Sequence, residues 1–419
     1  MLSCRGTRKA TQPLRPDFAL FDRAMENPYS SDQPDGAITL CIAENLLQWD
    51  VLREKLQDIA ASRPWPEWIA AYAPLGGHPD FRTAVARFVG KHIARRELKP
   101  DNFCASAGAT AVIELTALAL GDPGDCAVFP APAYQAYLPD INSKAGLERY
   151  DITTYINPGD GQFHPLSVAD LDAARAELGG AFRLLVLTQP DNPTGAVYSA
   201  RQLEAITDWC IDHRVHLVVN EIYALSQFLP EAVRNNAPFT SFLPLLERRD
   251  SPYLHWWYSF SKDFGISGFR VGLLYTRNGD LRSAYANFNA PHQISNLTQW
   301  LLAEVLNDDS WVTAYQKNNQ LLLTEAYTTV TDALDGIGVP YAPARGSLFV
   351  WADFSRFLSR PTTGEAEVLW NDIFERTGVL LTAPGGLGQP TAGWYRIVYS
   401  CVRPEALKEA MRRITAYFA

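Results

Sequence analysis

The chain has 419 residues, enough for one large domain with a sizeable core and a deep cleft plus a smaller domain. Its hydrophobic share of 47% and charged share of 20% are those of an ordinary globular chain rather than a disordered or membrane-embedded one. A net charge of −9 argues against general nucleic-acid binding, so no nucleic-acid partner is expected.

The N-terminal stretch "MLSCRGTRKATQPLRPDF" is basic but lacks the apolar segment of a signal peptide. No run approaches the ~20 apolar residues of a membrane span. "KHIARRELKP" (91–100) reads as a solvated helix end. From about 45 to 300, short apolar runs alternate with helical patterns. "NFCAS" (102–106), "CAVFP" (126–130), "RLLVLT" (183–188), "VHLVVN" (215–220), "HWWYSF" (255–260) and "RVGLLYT" (270–276) read as buried strands. The clearest helix is "SARQLEAITDWCIDH" (199–213), where Ser199 and Gln202 form a capping-box pair and Leu203, Ile206 and Cys210 share a face. Trp256 and Trp257 read as sheet core.

A long helical stretch begins near 296 and runs, with a break at "NDDSW", to about 335. It is followed by "GSLFVWADF" (346–354), a helix near 364–377, "GVLLTAPGG" (378–386), "GWYRIVYSCV" (393–402) and a final helix. The expected fold class is therefore α/β, a large domain with a mostly parallel sheet flanked by helices over 46–300. A smaller α+β domain is expected from 1–45 and 301–419. The six cysteines (Cys4, Cys41, Cys104, Cys126, Cys210 and Cys401) form no CxxC pair and no metal spacing with histidine. A reducing, cytoplasmic setting and no metal are expected.

Ligands of open α/β sheets bind at the carboxyl ends of the strands. Each predicted strand is followed there by a polar or aromatic group. "SAGAT" (106–110) offers backbone N–H groups at a helix start, suited to a phosphate. Then come Tyr134 in "PAPAY", Asn192 in "QPDNPTG", Asn220 and Tyr223 in "NEIY", and Ser259, Ser261, Lys262 and Arg270 in "YSFSKDFGISGFRVG". Singly these are turns and surface charges. Jointly, serines and an arginine around a lysine fit a phosphate held beside an amine nucleophile, whose pKa burial or a neighbouring cation would lower. A phosphate-bearing aldehyde cofactor is the natural ligand.

"SFSKDFGISGFRVG", "DNPTG", "NEIY" and "GWYRIVYS" resemble the fold-type I pyridoxal-phosphate (PLP) enzymes, the aspartate aminotransferase superfamily, over roughly 37–419. The resemblance implies Lys262 as the lysine that binds the cofactor covalently and shuttles protons. It implies Ser259, Ser261, Arg270 and the backbone of Ala109 and Thr110 as a phosphate cup. Asn192 and Tyr223 would bond the cofactor's phenolic oxygen, and Tyr134 would stack on its ring. Arg396 would clamp a substrate carboxylate with its fork, and a homodimer is implied. "LCIAENLL" (40–47), "AGAT" and "DPGDCAVFPAPAY" are most similar to the 1-aminocyclopropane-1-carboxylate (ACC) synthase branch, whose substrate is S-adenosylmethionine (SAM). Glu44 then reads as the group facing the sulfonium, or else as a helix-start carboxylate.

Two positions depart from that branch. Asn220, either native or an introduced replacement, stands where the family has an aspartate that keeps the cofactor ring nitrogen protonated. Leu75 stands where ACC synthases have a tyrosine that reaches the partner subunit's cofactor, leaving Tyr72 or His78 for a different contact. "NAPHQIS" (289–295) also looks unlike the family and is expected to line a reshaped pocket. Two outcomes of SAM chemistry stay open: ring closure to ACC, or γ-replacement by a second substrate such as a nicotinamide nucleotide. An ordinary aminotransferase acting on an apolar or aromatic amino acid is the alternative. A PLP-fold transcriptional regulator is disfavoured by the acidic charge and by the short stretch ahead of residue 37.

Overall fold

The apolar runs become a seven-stranded sheet in the computed structural model, which describes residues 1–11, 18–154, 165–232, 238–388 and 391–419. The first strand, β1 (Ile38–Leu40), stands outside this sheet. The sheet consists of β2 (Phe103–Ala107), β3 (Cys126–Ala131), β4 (Glu148–Thr153), β5 (Phe182–Thr188), β6 (His216–Asn220), β7 (Leu254–Ser259) and β8 (Val271–Thr276), in the order β2-β8-β7-β6-β5-β3-β4. Only β8 runs antiparallel to its neighbours. Every residue of β6, β7 and β8 is buried, as expected of strands covered by helices on both faces. Trp256 and Trp257 are core, with their indole N–H groups donated to Glu221 and to Thr116.

Helix Ala200–Asp212 starts with the expected reciprocal capping box between Ser199 and Gln202. Helix Pro79–Val89 runs into a π turn, Gly90–Ala94, and stops at Arg95, whose φ is 55°. The basic run at 91–100 is thus a helix end. The strand β4 was not expected. It is the sheet's edge, with a mixed burial pattern, and its Arg149 and Asp151 pair at 2.8 Å, the arginine side chain largely covered. Charge on an edge strand keeps it from pairing further, and the same charge hides it from a search for apolar runs.

A second group of elements packs beside this sheet. Strand β9 (Phe349–Asp353) is followed by β10 (Val379–Leu381) and β11 (Trp394–Val398). The pairing is β1 with β10 in parallel and β9 with β11 antiparallel. Helices Asp309–Gly336, Thr363–Thr377 and Pro404–Phe418 cover them around a core that includes Leu323, Val330, Phe349, Tyr395 and Ile414. Helix Phe18–Met25 joins through buried Ala24, and its Arg23 reaches Glu375 at 2.5 Å. Helix Asp309–Gly336 joins the two cores. Val312 and Tyr315 pack with the large sheet, and Leu323 onward with the second group. Among the described residues no helix is long and apolar enough to cross a membrane, and no cluster of three acidic, histidine or cysteine side chains is suited to a metal.

Candidate active site

Lys262 sits in the short helix Phe260–Asp263 at the carboxyl end of β7. Its Nζ donates to the backbone carbonyl of Ala43 at 2.5 Å. Burial, and then the positive charge of Arg396, lower its pKa to about 8, with Arg270 adding to the effect and Glu44 opposing it. The amine is therefore substantially neutral near pH 8, the state a nucleophile or a base requires. The next residue, Asp263, is fully buried and accepts from the Leu225 N–H (3.0 Å), the Ser226 hydroxyl (2.6 Å) and the Tyr258 hydroxyl (3.0 Å). These bonds tie the lysine's turn to the turn that carries Tyr223.

Beside the lysine lies an anion cradle. Helix Ala109–Leu120 begins after Gly108, whose φ of 88° suits glycine, and no side chain caps it. Its first N–H groups, from Ala109 and Thr110 onward, stay available, with the helix dipole behind them. A Cβ on Gly108 would lie 2.2 Å from Arg270 Nη2, and one on Gly272 would lie 2.5 Å from the Gly108 carbonyl carbon. Both glycines are needed for Arg270 to reach the helix end. Arg270 itself adopts a φ of 54°, and its Nη1 donates to the Ser267 carbonyl at 2.9 Å. Ser259 is fully buried; it donates to the Val271 carbonyl (2.8 Å) and accepts from the Ser261 N–H (3.2 Å). The Ser261 hydroxyl lies 2.8 Å from it. Ser259 thus acts as the post on which Ser261 is mounted.

At the end of β6, Asn220 Oδ1 accepts the Ile222 N–H (3.2 Å) and its Nδ2 donates to the Tyr137 hydroxyl (2.9 Å). Tyr137, absent from the sequence reading, also bonds Thr188 at 2.8 Å and stands edge-on to the half-buried Tyr134, with ring centres 5.5 Å apart. Tyr223 packs edge-on against Phe349, and its hydroxyl has no hydrogen-bond partner among the described residues. Burial raises its phenol pKa, while Arg396 pulls the other way.

Arg396, on β11, is 3% exposed. Its Nη1 donates to Asn192 Oδ1 (2.9 Å), Nη2 to the Cys41 carbonyl (3.2 Å) and Nε to the Thr382 hydroxyl (3.3 Å). These three acceptors are uncharged. Because Asn192 turns its oxygen to the guanidinium, its amide N–H groups are left for a ligand. Glu44 lies in the irregular segment ahead of helix Trp49–Ser62, so the helix-start role falls to Asp50 instead. Its backbone carbonyl is fixed by Ser400 Oγ at 2.5 Å. Its half-buried carboxylate has no hydrogen bond or ion pair among the described residues, yet is close enough to raise the lysine's pKa.

In the segment at 289–295, the first residue makes a structural contact. Asn289 is fully buried and donates to the carbonyls of Leu75 and Ala105, while its Oδ1 accepts from Ser106 Oγ (2.6 Å). It pins the Leu75 segment to the end of β2. His78 is also occupied, since it stacks on Trp68 with centroids 3.7 Å apart and caps helix Pro79–Val89 through the Asp80 N–H. Tyr72 stands fully exposed.

Residues 36–414 match the family profile for aminotransferase class I and II. The chain belongs to that family. It is 30% identical to a 1-aminocyclopropane-1-carboxylate synthase of Glycine max over 93% of this chain and 82% of that protein. It is 31% identical to an ACC synthase-like protein 1 of Takifugu rubripes over 99% and 67%. Among solved structures, an aspartate aminotransferase from Thermus thermophilus with maleate superposes with a TM-score of 0.80 at 20% identity, covering 99% of both chains. An aromatic aminotransferase from Pyrococcus horikoshii gives 0.75 at 21%, covering 94% of this chain and 98% of its own. The chain is thus a fold-type I PLP-dependent enzyme near the ACC synthase branch. The site fits the cofactor, with an uncapped helix start, Ser261 and Arg270 for a phosphate beside a buried lysine of lowered pKa for an aldehyde.

Proposed function

We propose that this enzyme acts on S-adenosylmethionine. Lys262 removes the α-proton, and methylthioadenosine leaves from the γ-carbon. PLP, when bound, supplies the electron sink that acidifies the α-carbon. Ala109, Thr110, Ser261 and Arg270 hold its phosphate, with Ser259 supporting Ser261 from behind, Tyr134 faces its ring, and the N–H groups of Asn192 with the Tyr223 hydroxyl meet its phenolic oxygen. Arg396 takes the substrate carboxylate. The observation that carries the substrate assignment is Glu44, a carboxylate with no hydrogen bond or ion pair among the described residues, close enough to act on the lysine. An isolated negative charge at a semi-enclosed site favours a cationic substrate. The similarity to ACC synthases supports the same reading.

The product is either ACC or a γ-replacement product with a second substrate, for which a nicotinamide nucleotide is one option. The enzyme works as a cytosolic homodimer. Its domains are 46–300 for the cofactor and 1–45 with 301–419 for the smaller unit, and the change of core inside helix Asp309–Gly336 supports a hinge there. The test is to incubate the holoenzyme with SAM and, separately, with a panel of apolar and aromatic amino acids. Methylthioadenosine from SAM is expected. Formation of 2-oxo acids from the panel, with no methylthioadenosine, would favour the aminotransferase reading instead.

A further inference from the structure

The side chain of Asn220 is held in one orientation. The Ile222 N–H can bond only to an oxygen, so Oδ1 must face it, and Nδ2 faces the Tyr137 hydroxyl. Turning the amide over would leave a buried backbone N–H against an NH2 group. Asn220 is 6% exposed and Tyr137 1%, so water cannot take over either role. Nδ2 carries two hydrogens, of which Tyr137 takes one. The residue therefore presents a spare donor, not an acceptor, at the carboxyl end of β6.

Among the described residues, the nearby carboxylates are engaged elsewhere: Asp191, close enough to act on Tyr137, accepts from the Thr194 N–H (3.2 Å) and the Thr194 hydroxyl (2.6 Å). Glu221 is the adjacent residue, but it is fully buried and turned into the protein. It accepts from Gln189 Nε2, Ser241 Oγ, the Phe242 N–H and Trp256 Nε1. Tyr137 and Thr188 place neutral hydroxyls beside Asn220.

We propose that Asn220, aimed by Tyr137 and the Ile222 N–H, donates a hydrogen bond to the ring nitrogen of the bound cofactor and holds that nitrogen unprotonated. This rests on the reading of the site as one that binds PLP on Lys262 with its ring nitrogen toward β6. A protonated nitrogen would set N–H against N–H with no counter-charge in a buried place, which disfavours the charged form. The ring is then a weaker electron sink. Negative charge arising at the substrate stays nearer its carbons, which favours bond formation or loss of a leaving group there over reversible transamination. Tyr137 is a positioning residue in this scheme.

The test is 15N NMR of the holoenzyme carrying PLP labelled at the ring nitrogen, for wild type and Asn220→Asp. The aspartate can accept from both Ile222 N–H and Tyr137, so the variant keeps its framework. Wild type is expected at the chemical shift of a neutral pyridine throughout the neutral pH range, and Asn220→Asp at that of a pyridinium. Tyr137→Phe is expected to stay neutral with a changed or broadened line, because the amide loses one anchor. A pyridinium shift in wild type, or the same shift in wild type and Asn220→Asp, overturns the proposal while leaving PLP on Lys262. Absence of a PLP mass on Lys262 after borohydride reduction overturns the cofactor reading and the proposal together.

Discussion

The strands β6 and β7 carry buried titratable groups at both ends, and the two ends do different things. At their amino ends, His216 Nδ1 and His255 Nε2 lie 3.0 Å apart, and His255 Nδ1 is 2.9 Å from Thr276 Oγ1. Burial lowers both histidine pKa values, that of His216 to about 4 with help from Arg183. At the carboxyl ends, burial lowers Lys262 to about 8. A perturbed pKa therefore does not separate scaffold from site. Unspent capacity does. The histidines bond to one another and to a threonine, which closes the chain. Around Lys262, by contrast, neither Glu44 nor the Tyr223 hydroxyl has a hydrogen-bond partner among the described residues, and no side chain caps the helix start at Ala109.

The comparison is broken most severely at Lys262. Lys262→Ala should lower turnover by about 10⁴-fold, the upper range for removing an acid–base group, and should abolish borohydride-trappable PLP. Retention of a covalent adduct would place the reactive amine elsewhere. The histidine end should respond to pH in stability alone. Both histidines are neutral when folded, so the unfolded chain binds more protons between about pH 6.5 and pH 4. Stability is then full above that window and falls as the pH drops through it, by about 3 kcal/mol for His216. Denaturant titrations at several pH values measure this, and a flat profile would show that the pair titrates in the fold as it does in the unfolded chain.

Arg396→Lys keeps the charge but loses the fork. It should raise the KM for the amino-acid substrate about 30-fold, with a smaller effect on kcat, as expected for losing one charge-assisted hydrogen bond. The smallest effect is expected at Glu44. Glu44→Gln should weaken SAM binding about tenfold, the scale of one partly screened charge pair. Since Glu44 raises the lysine's pKa, the same change should move the acidic limb of activity, set by loss of the proton from Lys262, to lower pH.

The cofactor end was legible because β7, the lysine turn and β8 are consecutive in the chain, so Ser261, Lys262 and Arg270 lie within ten positions. Strand ends followed by polar residues also marked Asn192, Asn220 and Tyr223. What stayed hidden is held by backbone or by distance in sequence. The Ala43 carbonyl that meets Lys262 has no side-chain signature, and it lies 219 positions away. Tyr137 looks like one more apolar aromatic until its hydroxyl is placed between Asn220 and Thr188. Asn289 lies 214 positions from Leu75, and only folding shows that it fastens that segment. Strand β4 was missed because an edge strand carries charge where a central one carries valine and leucine.

The central claim is that a charge-selective substrate end, marked by Glu44, is attached to a PLP cradle. Binding constants of SAM and S-adenosylhomocysteine to the holoenzyme and to Glu44→Gln test it most directly, because the two ligands share carboxylate, amine and adenosine and differ in the sulfonium charge. The account predicts that wild type prefers SAM by about tenfold and that Glu44→Gln binds both alike. Equal affinities in wild type, or a preference that survives in Glu44→Gln, would contradict it.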